Sequence, residues 1–149
     1  MGVYFNPDNG SFTCDKNSRI YVDKTGLLEY LNGLLGTNEK CIAVSHARRF
    51  GKSHAAGMID AYYSRGCDST KLFEDTKIAA CDDFKKYMNK YNVIHLDISS
   101  VWDFHKEDLV ESIQDRVCKD FKKEYGDSID YSNDLYLLIA GNGGNDEML

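Results

Sequence analysis

Gly51, Lys52 and Ser53 are residue types that handle phosphate, and they stand consecutively. They close the stretch Ser45-His46-Ala47-Arg48-Arg49-Phe50-Gly51-Lys52-Ser53, which follows the apolar run Cys41-Ile42-Ala43-Val44 and precedes a segment of helical spacing. Strand, basic loop and helix in that order are the context of a phosphate-binding P-loop. Gly51 lets the backbone approach an anion without a side chain in the way. Free N–H groups at the start of the next helix point at that anion. Lys52 reaches β- and γ-phosphates as a point charge, and Ser53 offers a hydroxyl to Mg²⁺. The candidate nucleotide-binding set is therefore Arg48, Arg49, Phe50, Gly51, Lys52, Ser53 and His54. Within it Lys52 is the catalytic candidate and Ser53 the metal ligand, while His54 reads mainly as a residue of the helix's first turn. The full pattern has a glycine five residues before Gly51, where this chain has His46. The alternative is an ordinary strand-to-helix turn with a basic start. Against it, Arg48, Arg49 and Lys52 crowd cations at the positive end of a helix dipole, which is unfavourable unless an anion sits there.

Several elements must position that loop. Ile20-Tyr21-Val22-Asp23-Lys24-Thr25 reads as a short β-run, with Thr25 able to cap the helix that follows. Asp23 and Lys24 are either a solvated turn or part of the nucleotide pocket. Leu27, Leu28, Leu31, Leu34 and Leu35 recur at helical spacing, and Gly36 closes that helix. Residues 52–64 read as the first helix of a nucleotide fold, with Gly57 allowing close packing on a sheet. Tyr91-Asn92-Val93-Ile94-His95-Leu96-Asp97 has apolar residues on both faces, the pattern of a buried parallel strand. Asp97 at its end has the position of a magnesium-holding acid, although a plain polar residue at the strand mouth is the favoured reading. Asp103 to Tyr125 is the longest helix, apolar along Leu109, Ile113, Val117 and Phe121 and charged opposite. Residues 4–12 read as an extended lead-in with turns at Asn6-Pro7 and Asn9-Gly10, and 82–90 as a short helix. The expectation is an α/β, three-layer α/β/α P-loop domain with a parallel sheet, incomplete at its C-terminus, over residues 1–140, and a flexible tail over 141–149.

Composition narrows the function classes. A chain of 149 residues is long enough to bury roughly 68–70% of its unfolded surface. Its net charge of −6 argues against a general nucleic-acid surface, so the local cluster of Arg48, Arg49 and Lys52 suits a small anion better than a polymer. No apolar run is long enough for a membrane span. The five cysteines are scattered and without Cys-x-x-Cys pairs, which points to reduced thiols in a cytoplasmic protein.

Segments spread along the chain resemble the predicted bacterial AAA-ATPase-like proteins, which often carry a PD-(D/E)XK nuclease-like domain C-terminal to the ATPase part. The likeness is carried by Asn6-Pro7, by Ile20-Tyr21-Val22-Asp23-Lys24-Thr25-Gly26, by Val44-Ser45, by Arg48-Arg49-Phe50-Gly51-Lys52-Ser53, by Ala61 to Ser69, and by Tyr91-Asn92-Val93-Ile94. The resemblance implies a P-loop NTPase domain with a parallel sheet, ATP and Mg²⁺ as ligands, and ATP hydrolysis as the reaction of a complete relative. His46-Ala47 replace the family's usual Arg-Pro, while the missing glycine is a family trait. The family's acidic Walker B strand would follow residue 135, and Asp146-Glu147 lacks the apolar strand before it. The expectation is an N-terminal part of a longer protein that binds ATP better than it hydrolyses it. Its alternatives are a non-catalytic remnant, or an interaction module that forms a homo-oligomer or pairs with a full-length relative.

Overall fold

The computed structural model describes residues 4–39, 41–45, 47–99 and 109–126. They fall in two compact units, Pro7–Val93 and a second made of Met1–Asn6 with Ile94–Leu149. Trp102, the Leu135–Ile139 segment, Asp146-Glu147, His46 and the start of the long helix lie outside the described residues.

The first unit is built from helices. These are α1 (Gly10–Lys16), α2 (Gly26–Leu34), α3 (Lys52–Tyr63), α4 (Thr70–Phe73), a 3-10 turn (Lys77–Ala80) and α5 (Phe84–Tyr87). The leucine stripe of α2 holds for three of its five residues: Leu28 is fully buried and Leu27 and Leu31 pack beside it, whereas Leu35 is exposed past the helix end. The helix ends where Leu35 turns extended, and Gly36, at φ +77°, is the left-handed residue of the turn closed by the Thr37 N–H on the Leu34 carbonyl at 3.1 Å. Helix α1 replaces the turn expected at Asn9-Gly10. The Asn9 carbonyl accepts the Thr13 N–H at 2.9 Å, so the pair starts a helix instead of reversing the chain. Helix α1 delivers Phe12 to the core, stacked on Phe73 at 4.7 Å with Tyr62 edge-on to Phe73 at 5.4 Å. Gly57 does permit a close approach, but the neighbour is α1. A Cβ on Gly57 would stand 2.7 Å from Ser11 Oγ.

Polar groups inside this core are satisfied in a chain. Asn32 donates to the Tyr62 hydroxyl at 3.1 Å and accepts from the Tyr63 hydroxyl at 2.7 Å, and Tyr62 donates to the Phe84 carbonyl at 2.8 Å. Asn89, at φ +53°, ties the end of α3 to the chain after it. Its side chain donates to the carbonyls of Ala61 and Ser64 and accepts from the Ser69 N–H. The expected helix over 82–90 is one turn only, because the chain turns extended at Met88.

The parallel sheet is not there. Among the described residues there is no β-strand, only two isolated bridges, Phe5 with Ile94 (antiparallel) and Ser64 with Tyr91 (parallel). This overturns the α/β P-loop architecture. The three runs that suggested strands form no ladder and carry exposed apolar residues: Ile20 is 83% and Val44 58% accessible, and Ile94 and Leu96 are exposed as well. A run of apolar residues is suited to a ladder, but a ladder exists only when a second backbone supplies the other half of each hydrogen bond.

The second unit is organised by α6 (Leu109–Tyr125), which buries Val117, Asp120 and Phe121. Phe5 packs edge-on to Phe121 at 4.9 Å. Asp120 accepts the Tyr4 N–H at 2.7 Å, Arg116 donates to the Tyr4 hydroxyl at 2.8 Å, and the Tyr4 carbonyl accepts the His95 N–H at 2.9 Å. The charged face of α6 is a solvated one, as its spacing predicts. Asp97 accepts from both the N–H and the hydroxyl of Ser99, at 3.1 and 2.6 Å, so its carboxylate closes a local turn.

Candidate functional site

The basic loop enters α3 through two left-handed residues. Arg49 has φ +68° and Gly51 φ +76°. Gly51 takes that conformation without cost, whereas a non-glycine such as Arg49 spends about 1–3 kcal/mol on it. Gly51 is the N-cap of α3, and its carbonyl accepts the first helical bond, from Ala55 N–H at 3.0 Å. The side chains of Arg48, Arg49, Phe50, Lys52, Ser53 and His54 are all exposed around this turn. Lys52 curls back over the loop and donates to the Ala47 carbonyl at 3.0 Å.

A second lysine reaches the same loop from elsewhere in the chain. Lys24 donates to the Phe50 carbonyl at 2.6 Å, and a Cβ on Gly51 would lie 2.6 Å from its Nζ. The residues flanking Lys24 explain its placement. Asp23 Oδ1 accepts from the Thr25 N–H and hydroxyl at 2.8 and 2.7 Å, and Asp23 Oδ2 accepts the Lys77 N–H at 2.8 Å. Thr25 Oγ1 accepts the Ile78 N–H at 3.2 Å. Burial pushes the Asp23 carboxyl up, but the hydrogen bonds from Thr25 and Lys77 outweigh it and hold the group below its ordinary range. Asp23 and Thr25 thus fasten the segment to the 3-10 turn, and Lys24 between them is carried to the Arg48–Ser53 loop.

Between α1, the 18–24 segment and the start of α3 lies a cavity of about 340 Å³, within the size range of small-ligand sites. Arg49, Phe50, Gly51, His54 and Lys24 form its loop side. Asp15, from α1, is hydrogen-bonded through Oδ1 to His54 Nδ1 at 2.5 Å. Lys52 and Ser53 do not line the cavity; they stand on the adjoining exposed turn. Among the described residues no group of three or more His, Cys, Asp or Glu side chains could hold a metal ion.

The family model of AAA-ATPase-like proteins, described as predicted AAA-ATPase, matches residues 12–140. The chain belongs to the AAA-ATPase-like family. No curated protein and no solved structure matches it significantly. In this AAA-ATPase-like chain the match spans both the Asp23-Lys24-Thr25 segment and the Arg48–Ser53 loop, which the structure brings together through Lys24 and Phe50. Of the sequence-predicted site residues, Arg49, Phe50, Gly51 and His54 share one cavity wall. Phe12, Asp15 and Tyr21 line the same cavity without having been singled out for binding, since Phe12 and Asp15 lie in a helix that turn signals obscured. None of the described helices is long and apolar enough to cross a membrane.

Proposed function

We propose that this AAA-ATPase-like chain binds ATP with Mg²⁺ at the Arg48–Ser53 loop. The observation that carries the reading is the pair of lysines, Lys24 and Lys52, whose ammonium groups both rest on loop carbonyls beside the left-handed Gly51 that opens α3. Cations gathered at the positive end of a helix repel one another and the dipole, and a polyphosphate relieves both. Lys52 takes the β- and γ-phosphates, Arg48 and Arg49 lie along the same turn, and Lys24 is a further donor next to Gly51. Mg²⁺ fits here as the partner of the phosphates. It keeps several waters and needs only one or two protein oxygens, which the exposed Ser53 hydroxyl begins to supply. When bound, the ion would neutralise charge on the phosphates.

Binding is favoured over turnover. Asp15 is the only carboxylate among the described residues lining the cavity, and it is engaged by His54. Isothermal calorimetry with ATP and Mg²⁺, on this chain and on Lys52→Ala, tests the reading. Binding by the wild-type chain that falls at least tenfold in Lys52→Ala, with the thermal unfolding midpoint held, is the expected result; a tenfold loss is about 1.4 kcal/mol. Equal affinities, or no binding by the folded wild-type chain, would sink it.

A further inference from the structure

Arg49 and Gly51 are left-handed, at φ +68° and +76°, and Phe50 between them is not. A turn built this way gathers successive N–H groups into a concavity that suits an anion. The peptide joining Phe50 to Gly51 lies at its centre. In a trans peptide the carbonyl and the N–H point opposite ways, so fixing one fixes the other. Lys24 Nζ donates to the Phe50 carbonyl at 2.6 Å, a charge-assisted bond made from 26 residues away in the chain. Among the described residues the Gly51 N–H, on the far side of that peptide, makes no hydrogen bond.

Helix stability does not account for the lysine. Gly51 is the N-cap of α3, and a cation there opposes the helix dipole. Nor is Lys24 drawn by the carboxylate beside it, because Asp23 is committed to Thr25 and Lys77. What Lys24 does have is a fixed base. Thr25, its other neighbour, is fully buried and accepts the Ile78 N–H at 3.2 Å, so the backbone at Lys24 is held against the core while its side chain reaches the loop. Gly51 makes room for it: a Cβ there would stand 2.6 Å from Nζ. The lysine and the glycine fit as a pair around one peptide.

We infer that Lys24 is a positioning residue of the phosphate loop: by holding the Phe50 carbonyl it fixes the Phe50–Gly51 peptide so that the Gly51 N–H is turned the opposite way, ready to donate to a phosphate oxygen. The inference rests on the phosphate-loop reading above and adds what keeps that loop in its binding shape.

The test uses inorganic tripolyphosphate with Mg²⁺, a probe that has phosphates and nothing else. Calorimetry on the full chain at about 50 and about 500 mM salt compares the wild type, Lys24→Met and Lys24→Gln, and NMR follows the Gly51 amide. Lys24 is exposed, so both variants should keep the wild-type unfolding midpoint. Lys24→Met removes the donor, while Lys24→Gln keeps an N–H donor and loses the charge. Positioning is local, so Lys24→Met should weaken binding about tenfold at both salt concentrations, whereas a charge acting through space is screened at the higher one. Lys24→Gln should lose less than Lys24→Met. The Gly51 amide proton should move downfield when the probe saturates the wild type and move less in saturated Lys24→Met, with the Ser53 amide alike in both. Lys24→Met binding as tightly as the wild type, a loss that disappears at high salt, or a Gly51 amide that answers the probe identically in both proteins would overturn the inference and leave the phosphate loop standing. No binding of tripolyphosphate by the folded wild-type chain would remove both.

Discussion

Gly51 is the residue on which the loop turns. Its φ of +76° is one that L side chains rarely adopt, and the space beside it is filled by the Lys24 ammonium group. An alanine there meets both obstacles, but they differ in weight. The lysine is the far end of a flexible chain and can withdraw, whereas the backbone strain cannot be escaped without rebuilding the N-cap of α3. Gly51→Ala is therefore expected to cost about 1–3 kcal/mol in urea denaturation. It should also weaken nucleotide binding, because Lys24 and the Phe50 carbonyl would be displaced together. A variant as stable as the wild type would mean that the loop does not depend on the left-handed turn. Glycine at this position was legible in the sequence, since Gly-Lys-Ser before a helix implies it. Asp15 and Tyr21 were not legible as a pair. They stand six positions apart, and nothing in their spacing says that a helix end and the irregular segment after it will line one cavity.

At the scale of elements, the 18–25 segment acts as a strap. Asp23 and Thr25 fasten it to the 3-10 turn at Lys77–Ala80, with Thr25 fully buried and two of the turn's N–H groups satisfied. The Asp23 carboxyl is held below its ordinary value of 3.8. A depressed folded-state pKa contributes stability that is present above the unfolded value and is lost as pH falls through the folded one. Unfolding midpoints in urea should accordingly drop below about pH 4, and Asp23→Asn should flatten that part of the profile while lowering stability at pH 7. A profile unchanged by Asp23→Asn would show that the strap is held by something else. The sequence located α2, α3 and the long helix α6 from apolar periodicity, and the glycine just past α2 from residue type; Thr25 stands at the N-cap of α2, but its hydroxyl makes no capping bond there and serves Asp23 and Ile78 instead. It did not locate α1, because Asn9-Gly10 is a turn signal and the helix is only 7 residues long. Its three strands failed for a different reason: alternation and apolar runs describe what a segment could pair with, and pairing needs a partner at ladder distance.

For the whole molecule, all described parts of the candidate site, from Phe12 to Met58, belong to one compact unit, Pro7–Val93. A ligand stabilises the state that binds it, by about 2.7 kcal/mol at a hundredfold excess over its dissociation constant. Amide hydrogen exchange with saturating ATP and Mg²⁺ is thus expected to slow at residues 18–25 and 48–58, and to change much less along α6 in the other unit. Equal slowing in both units would place the ligand's effect beyond the site described. The overall charge of −6 sharpens the contrast with the loop, where Arg48, Arg49, Lys52 and the spatially added Lys24 concentrate positive charge.

From residue order alone follow the family, the basic loop opening a helix, the amphipathic helices and the absence of paired-cysteine motifs. These depend on neighbours a few positions apart, which the chain itself holds in place. Tertiary structure alone decides that Lys24 stands at Gly51, that Gly57 makes room for α1 and not for a sheet, and that Phe12, Asp15 and Tyr21 line one cavity. Each of these juxtaposes residues distant in the chain or set in different elements. Such contacts are fixed by the packing of whole side chains and by hydrogen bonds such as those of Asp23 and Thr25, and local spacing carries no record of them.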